Sequence, residues 1–270
     1  MQINSTILYA REVKTLELND IPLNDAEFIS TMRRNIEKGD GYIVKNAYRK
    51  EKLKNVREYL IQVGRHSLPN YHSIEKGCPN FHRMNRFDPR AYVKGCFHQF
   101  SFFPWNQDPF DLFESFKKIY HLKNKISGLP AEKFLSQEPD DGCIARLSFQ
   151  FYPNGCGMLN AHADPVDRHQ LTIPLMLLSQ KGEDFEQGGG YVMESDGNKI
   201  IIDDLGGWGD VFLFNAQVVH GVESINPQEE TDWISFNGRW ILLFAVNRLT
   251  STKDIANSID YSANNEQVVA

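Results

Sequence analysis

The chain lacks several features that would narrow its chemistry at once. Its four cysteines, Cys78, Cys96, Cys143 and Cys156, form no CxxC pair. That spacing excludes a zinc knuckle of that type, and the thiols read as reduced side chains of a cytoplasmic protein rather than a disulfide frame. Long apolar runs are missing as well. The longest, Trp240 to Val246, is far short of the ~20 residues a membrane helix needs, so no membrane partner is expected. Nor is there a surplus of positive charge: 29 Lys and Arg stand against 35 Asp and Glu, a formal net charge of −6. Such a balance disfavours a nucleic-acid partner, which needs a basic face to neutralise phosphates. The opening "MQINSTILYAREV" has no basic stretch followed by an apolar one, so no secretory signal is read. No G-x-S-x-G elbow, phosphate-binding glycine loop or HExxH is present, which removes the commonest hydrolase and nucleotide signatures. "EQGGGYVM" is glycine-rich, but the residues after it have strand rather than helix character.

What is present fits one folded unit of 270 residues, 41% hydrophobic and 24% charged. Residues 1–142 read as a mainly helical support. "LNDAEFISTMRRNIEKGDG" offers Asn24 as an N-cap, then Phe28, Met32 and Ile36 at four-residue spacing, then Gly39 as a stop. A short strand, "GYIVKN", follows. "RKEKLKNVREYLIQVG" then places Leu53, Val56, Leu60 and Val63 on one helical face and ends at Gly64. A third helix is expected from Asp108–Pro109, burying Phe113, Phe116, Ile119 or Tyr120, and Ile126, and stopping before Pro130. The segment between the last two helices has no clear period. It is rich in Arg, His and aromatics, and reads as a functional loop or a set of short strands.

From Cys143 to about residue 250 the period changes to two. "CIARLSFQFY" alternates Leu147, Phe149 and Phe151 with Arg146, Ser148, Gln150 and Tyr152. "LTIPLMLLS", "GGGYVMES", "KIIIDD", "GDVFLFN", "VVHGVES" and "GRWILLFAVN" follow, separated by turn residues. Short strands at such spacing imply a sandwich or barrel. The tail, 251–270, is polar with weak helical character at most.

The chemistry-bearing stretch is "LNAHADPVDRHQ". On a strand, residues i and i+2 point to the same side, so His162 and Asp164 direct an imidazole and a carboxylate toward one point. A third ligand must come from a neighbouring strand, and His220 in "GDVFLFNAQVVHGVESI" is the candidate. Two imidazoles and one carboxylate on one side of an ion leave its other side open, the facial arrangement of non-haem Fe(II) oxygenases. Taken singly, each residue has an ordinary reading: His162 as a hydrogen-bonded histidine, Asp164 as a turn former before Pro165, His220 as a strand end.

Taken in order, "FYPNG" with Tyr152 and Gly155, "HAD", Arg168 with Leu171 and Thr172, "EQGGGYVM", "GDVFLFN", "VVHGV" and "GRWILLF" form a set that resembles the Fe(II)/2-oxoglutarate-dependent dioxygenases. The likeness is to their prolyl-hydroxylase-like branch, over about 40% of the chain, residues 143–247. The resemblance implies an α+β fold with a double-stranded β-helix (jelly-roll) core. It implies Fe(II) held by His162, Asp164 and His220, with 2-oxoglutarate and O2 as co-substrates. Arg239 would hold the distal carboxylate of 2-oxoglutarate, with Arg146 and Arg168 as rival anchors and a surface ion pair as the plain alternative for Arg239. Tyr152 occupies a position that often bonds the co-substrate, or is a buried tyrosine satisfied by backbone. Two features depart from the pattern: "NPQEETDWISFNG" lengthens the connection between His220 and Arg239, and Ile241 stands where a hydroxyl residue is common.

The implied reaction is oxidation of an unactivated C–H of a small polar metabolite, with succinate and CO2 as by-products. Hydroxylation is the commonest outcome, while desaturation, ring closure and epimerisation stay open. Asp164 argues against the halogenase variant, in which that ligand is vacated. For the substrate, Arg83, Arg86 and His98 in the irregular segment, with Arg146 and Gln150 on the polar strand face, are the candidates; an anionic molecule is one option. Two other readings remain: a jelly-roll metabolite- or sugar-binding module without catalysis, and a zinc hydrolase using the same three ligands. Neither the substrate nor the oligomeric state is legible.

Overall fold

The computed structural model describes residues 7–167, 169–252 and 256–262. The first half supplies β1 (Val13–Glu17), α1 (Ala26–Glu37), β2 (Gly41–Lys45), α2 (Lys50–His66), β3 (Phe81–Arg86), β4 (Gly95–Phe102), α3 (Leu112–Ser115) and α4 (Lys117–Ile126). The second half supplies β5 (Cys143–Pro153), β6 (Met158–Ala163), β7 (Leu175–Leu177), β8 (Gly189–Met193), β9 (Lys199–Ile201), α5 (Ile202–Leu205), β10 (Val211–Leu213), β11 (His220–Glu223), β12 (Gly238–Arg248) and β13 (Ile259–Asp260).

Each helix follows from local pattern, with shifts that tertiary contacts explain. In α1 the buried residues are Ile29, Met32 and Ile36, and Phe28 is half-buried. Its N-cap is Asp25 rather than Asn24: the Asp25 carboxylate accepts the backbone N–H groups of Glu27 and Phe28, while Asn24 Oδ1 accepts from Lys125 Nζ at 3.1 Å. Helix α2 does not stop at Gly64 but runs on to His66. Gly64 is there for space, because a Cβ would lie 2.2 Å from the ring of Phe236. The third expected helix is divided. Asp108 accepts from the backbone of Phe110 and Leu112, a single turn follows, and Phe116 separates it from α4.

The strands form one curled mixed sheet in the order β1-β2-β10-β7-β12-β5-β4-β6-β11-β8-β9, with β3 added to β4 and β13 to β6. The jelly-roll core expected from the sequence is therefore present. It also draws β1 to β4 from the first 142 residues, and the irregular 78–107 stretch contains the β3–β4 hairpin. "KIIIDD" is strand only through Ile201, then turns into α5.

The longest pairing, β5 with β12, divides the molecule into two environments. Leu147, Phe149 and Phe151 of β5, with Trp240, Leu242, Phe244 and Val246 of β12, pack into the large apolar cluster under α1, α2 and α4. The alternate residues point the other way, into the bowl of the sheet. That the sheet curls is visible in a second apolar cluster, where Ile43, Leu177 and Phe212 from one arm meet Phe97, Val192 and Val222 from the other.

Candidate metal centre and its cavity

Antiparallel pairing of β6 with β11 sets His220 directly opposite His162. Their rings lie 4.1 Å apart by centroid. Asp164 follows β6 and is fixed by its backbone N–H, which donates to the carbonyl of Ala216 at 2.9 Å. Its two carboxylate oxygens face the two imidazoles: Oδ1 is 3.9 Å from His162 Nε2 and Oδ2 is 3.6 Å from His220 Nε2. One ligand atom from each of the three residues lies within 4.8 Å of the others, the only such group of three among the described residues.

The tautomers are set by backbone. His162 Nδ1 is 2.8 Å from the carbonyl of Asn160, and His220 Nδ1 is 2.8 Å from the carbonyl of Val218. A carbonyl can only accept, so each Nδ1 carries the proton and each Nε2 lone pair is left for an ion. Burial, then the neighbouring His220, lowers the pKa of His162 to about 4, which keeps it neutral at physiological pH. For Asp164, burial alone would raise the pKa. The two imidazoles that face it and the hydroxyl of Ser258 outweigh it and hold the carboxyl well below its ordinary range. The donor set therefore combines two imidazole Nε2 atoms with a carboxylate, a set suited to a divalent transition metal. Ser258, from the chain beyond β12, donates its hydroxyl to Asp164 Oδ1 at 2.5 Å, and the adjoining β13 pairs Asp260 with His162. Phe214 stands edge-on to His220 at 4.9 Å between centroids, an apolar wall beside the ligands.

The three residues open onto a cavity of about 430 Å³. The register carries one row across its floor: Arg83 opposite Gln99, Gln99 opposite Gln150, Gln150 opposite Ile241. Tyr152 donates its hydroxyl to Gln150 Oε1 at 2.7 Å. Arg239 lies opposite Tyr152 on the same inward face, with its guanidinium 5.6 Å from the Tyr152 ring. It is not the surface ion pair its position allowed: it is fully buried, and its partner Asp203 is too. Asp203 accepts from Arg239 Nε at 2.9 Å on both oxygens and also takes the Gly190 N–H at 2.7 Å. Both Nη1 and Nη2 remain buried with no hydrogen-bond partner. Two adjacent unsatisfied donors on a planar group are what a carboxylate accepts in bidentate fashion. The glycine run makes room for this group, since a Cβ at Gly190 would come within 2.5 Å of Arg239 Nη2.

The other sequence candidates divide. Arg83, Arg146, Gln150 and Tyr152 line the cavity, as expected of the polar face of β5. His98 does not. It stands on the opposite face of β4, buried against His82, Phe151, Trp233 and Phe236, because side chains alternate along the strand and Gln99 takes the cavity side. Arg86, at the exposed end of β3, is not among the lining residues either. Arg168 lies outside the described residues. Sequence reasoning missed Asp203, Gln99 and Ser258. Alternation around His98 could have indicated Gln99, but nothing local marked Asp203 or Ser258, which arrive by long-range folding.

No family model matches this chain, and no curated protein matches it by sequence. Solved structures do match. A prolyl-4-hydroxylase of Pseudomonas putida superposes with a TM-score of 0.52 at 11% identity, covering 82% of this chain and 98% of its own. JOX2, solved in complex with 2OG, Fe and JA, superposes with a TM-score of 0.52 at 13% identity, covering 96% of this chain and 80% of its own. With identity this low the shared property is architecture, and the chain has the same jelly-roll fold as these two proteins.

Proposed function

We propose that the protein is an Fe(II)- and 2-oxoglutarate-dependent oxygenase acting on an unactivated C–H of a small polar metabolite, with release of succinate and CO2. The observation that carries the reading is the convergence of His162 Nε2, His220 Nε2 and an Asp164 oxygen within 4.8 Å, with both histidine tautomers fixed outward by backbone carbonyls. Two neighbours in fold agree with it, a prolyl-4-hydroxylase and a protein solved with 2OG and Fe.

Bound Fe(II) with 2-oxoglutarate would supply oxidative chemistry that no side chain here can perform alone. The protein supplies the rest. His162, Asp164 and His220 hold the ion from one side and leave the other side to ligands. Arg239 is buried beside the lining residues Tyr152 and Gly190 rather than lining the cavity itself; steadied at Nε by Asp203, it would offer Nη1 and Nη2 to the distal carboxylate. Ser258 orients Asp164, so one carboxylate oxygen is fixed while the other stays available. Phe214, Ile241 and Leu175 line the cavity with apolar surface, which limits water near the reacting atoms.

The test is spectroscopic. Anaerobic protein given Fe(II) and 2-oxoglutarate is expected to develop a weak visible charge-transfer band that His162→Ala lacks. If no band forms and no succinate is released in air, the reading fails. Zinc occupancy with oxygen-independent turnover would replace it by a hydrolase. Indifference to both metal and 2-oxoglutarate would replace it by a binding module.

A further inference from the structure

The cavity also holds a pair of guanidinium groups, those of Arg83 and Arg146, that the co-substrate reading leaves unused. Arg146 lies on β5 six residues from Tyr152 and on the same face, about 20 Å away at ~3.3 Å per strand residue. It makes no hydrogen bond or ion pair with any described residue, and its Nε is buried without a partner. Arg83 faces the same space from β3. Its only carboxylate among the described residues is Asp88 at 3.6 Å, and both Asp88 oxygens are already engaged by Arg90, at 2.9 Å from Nε and 2.8 Å from Nη2. Arg83 Nε and Nη2 are buried with no hydrogen bond, and the Tyr71 ring packs 5.1 Å from its guanidinium. The remaining acids of the cavity are committed elsewhere. Asp167 pairs with Arg248 and Asp164 belongs to the metal site.

Two half-buried guanidinium groups line one cavity; Arg146 has no carboxylate partner among the described residues and Arg83 shares Asp88 with Arg90, so an arriving anion would satisfy donors that the protein leaves open. Burial lowers Arg146 to about 10, with Tyr120 opposing and Arg83 reinforcing the shift; it stays charged at neutral pH.

Resting on the oxygenase reading for the other end of the cavity, we propose that Arg83 and Arg146 form the seat for an oxyanion of the substrate, which is a small carboxylate-bearing molecule. Gln150, between Arg146 and Tyr152 along β5, and Gln99, in register with both Gln150 and Arg83, carry amides that bond the polar groups of its middle. Arg239, paired with Asp203 through Nε, takes the co-substrate; Arg146 and Arg83, which among the described residues share between them only the Asp88 already held by Arg90, take the substrate.

The experiment is a calorimetric titration with three probes: benzoate, its neutral counterpart benzamide, and phenyl phosphate. It is run on oxygen-free protein loaded with Mn(II) and 2-oxoglutarate, and again on unloaded protein. Benzoate is expected to bind and benzamide not. Arg146→Gln and Arg83→Gln are each expected to weaken benzoate about 10- to 100-fold, the loss of a charge-assisted hydrogen bond. Both variants are checked for folding by thermal unfolding, and either one suffices if the other does not fold. Preference for phenyl phosphate keeps the seat and changes the substrate class to phosphate esters. Equal binding of benzoate and benzamide by the unaltered protein overturns the proposal. So does loss of 2-oxoglutarate binding in Arg146→Gln with retention in Arg239→Gln, which would make Arg146 the co-substrate anchor. Failure of the oxygenase reading looks different: no Mn(II)-dependent 2-oxoglutarate binding in unaltered protein, while the benzoate preference persists in the unloaded state.

Discussion

The two faces of β5 are built from one stretch of alternating residues and do opposite things. On one face Leu147, Phe149 and Phe151 are fully buried among apolar neighbours beneath the helices. On the other, Arg146, Ser148, Gln150 and Tyr152 present polar atoms to the sheet interior, and Arg146 Nε and Ser148 Oγ have no protein partner. The first face stabilises the fold. The second gives up stability, because buried polar groups without partners are unfavourable, and in exchange offers donors to a ligand. The proposed ligand-facing residues thus sit on a strand whose reverse side anchors it rigidly.

That contrast can be broken from either side. The largest expected effect is on the packed face. Phe149→Ala should cost about 3–5 kcal/mol of unfolding free energy, read by denaturant titration, while metal affinity of the remaining folded protein stays near that of the parent. A large loss of metal affinity without loss of stability would mean the two faces are not separate in function. On the cavity face, Arg239→Gln should weaken 2-oxoglutarate about 10- to 100-fold by equilibrium binding. Thermal stability without ligand should fall less than for Phe149→Ala, although Asp203 is left as a buried carboxylate. Unchanged affinity would move the anchor elsewhere. Ser258→Ala should lower metal affinity about tenfold, the low end for loss of a hydrogen bond that orients a ligand; metal competition with a chelator measures it.

The smallest effect concerns the outer side of the neighbouring strand. His82 and His98, 2.8 Å apart, are held neutral by burial, at about 4 and about 3. In the unfolded chain they gain protons as pH falls through about 6.5, whereas the folded protein resists until about 4. Between those values the unfolded state binds more protons, so stability falls with pH. The unfolding temperature should drop by a few degrees from pH 7 to pH 5, and His98→Phe should reduce that slope. An unchanged slope would show that these rings do not set it.

Much of the metal centre was legible because it depends on short-range rules. Period two puts His162 and Asp164 on one side, and a histidine after an apolar strand is a natural third ligand. The proposed co-substrate end was partly legible: Arg239 and Tyr152 stood out as candidates, but Asp203 did not, because its doublet closes an apolar run that reads as plain strand. His98 was misplaced by a single residue of alternation, which in a strand exchanges one face for the other. β1 was hidden, and the β3–β4 segment was left open between a loop and short strands, because their sequences lack a clean period and are held by neighbours distant in the chain.

The sequence by itself determined the alternation that builds the bowl, the helical faces that cover its back, and the identity of the three metal-binding candidates. Only the tertiary structure decided which strand meets which, and therefore that His220 faces His162, that Asp203 steadies Arg239, and that Arg83 and Arg146 share one cavity. The physical reason is that side-chain direction along a strand is local geometry, whereas register between strands is fixed by the burial of many distant side chains acting together.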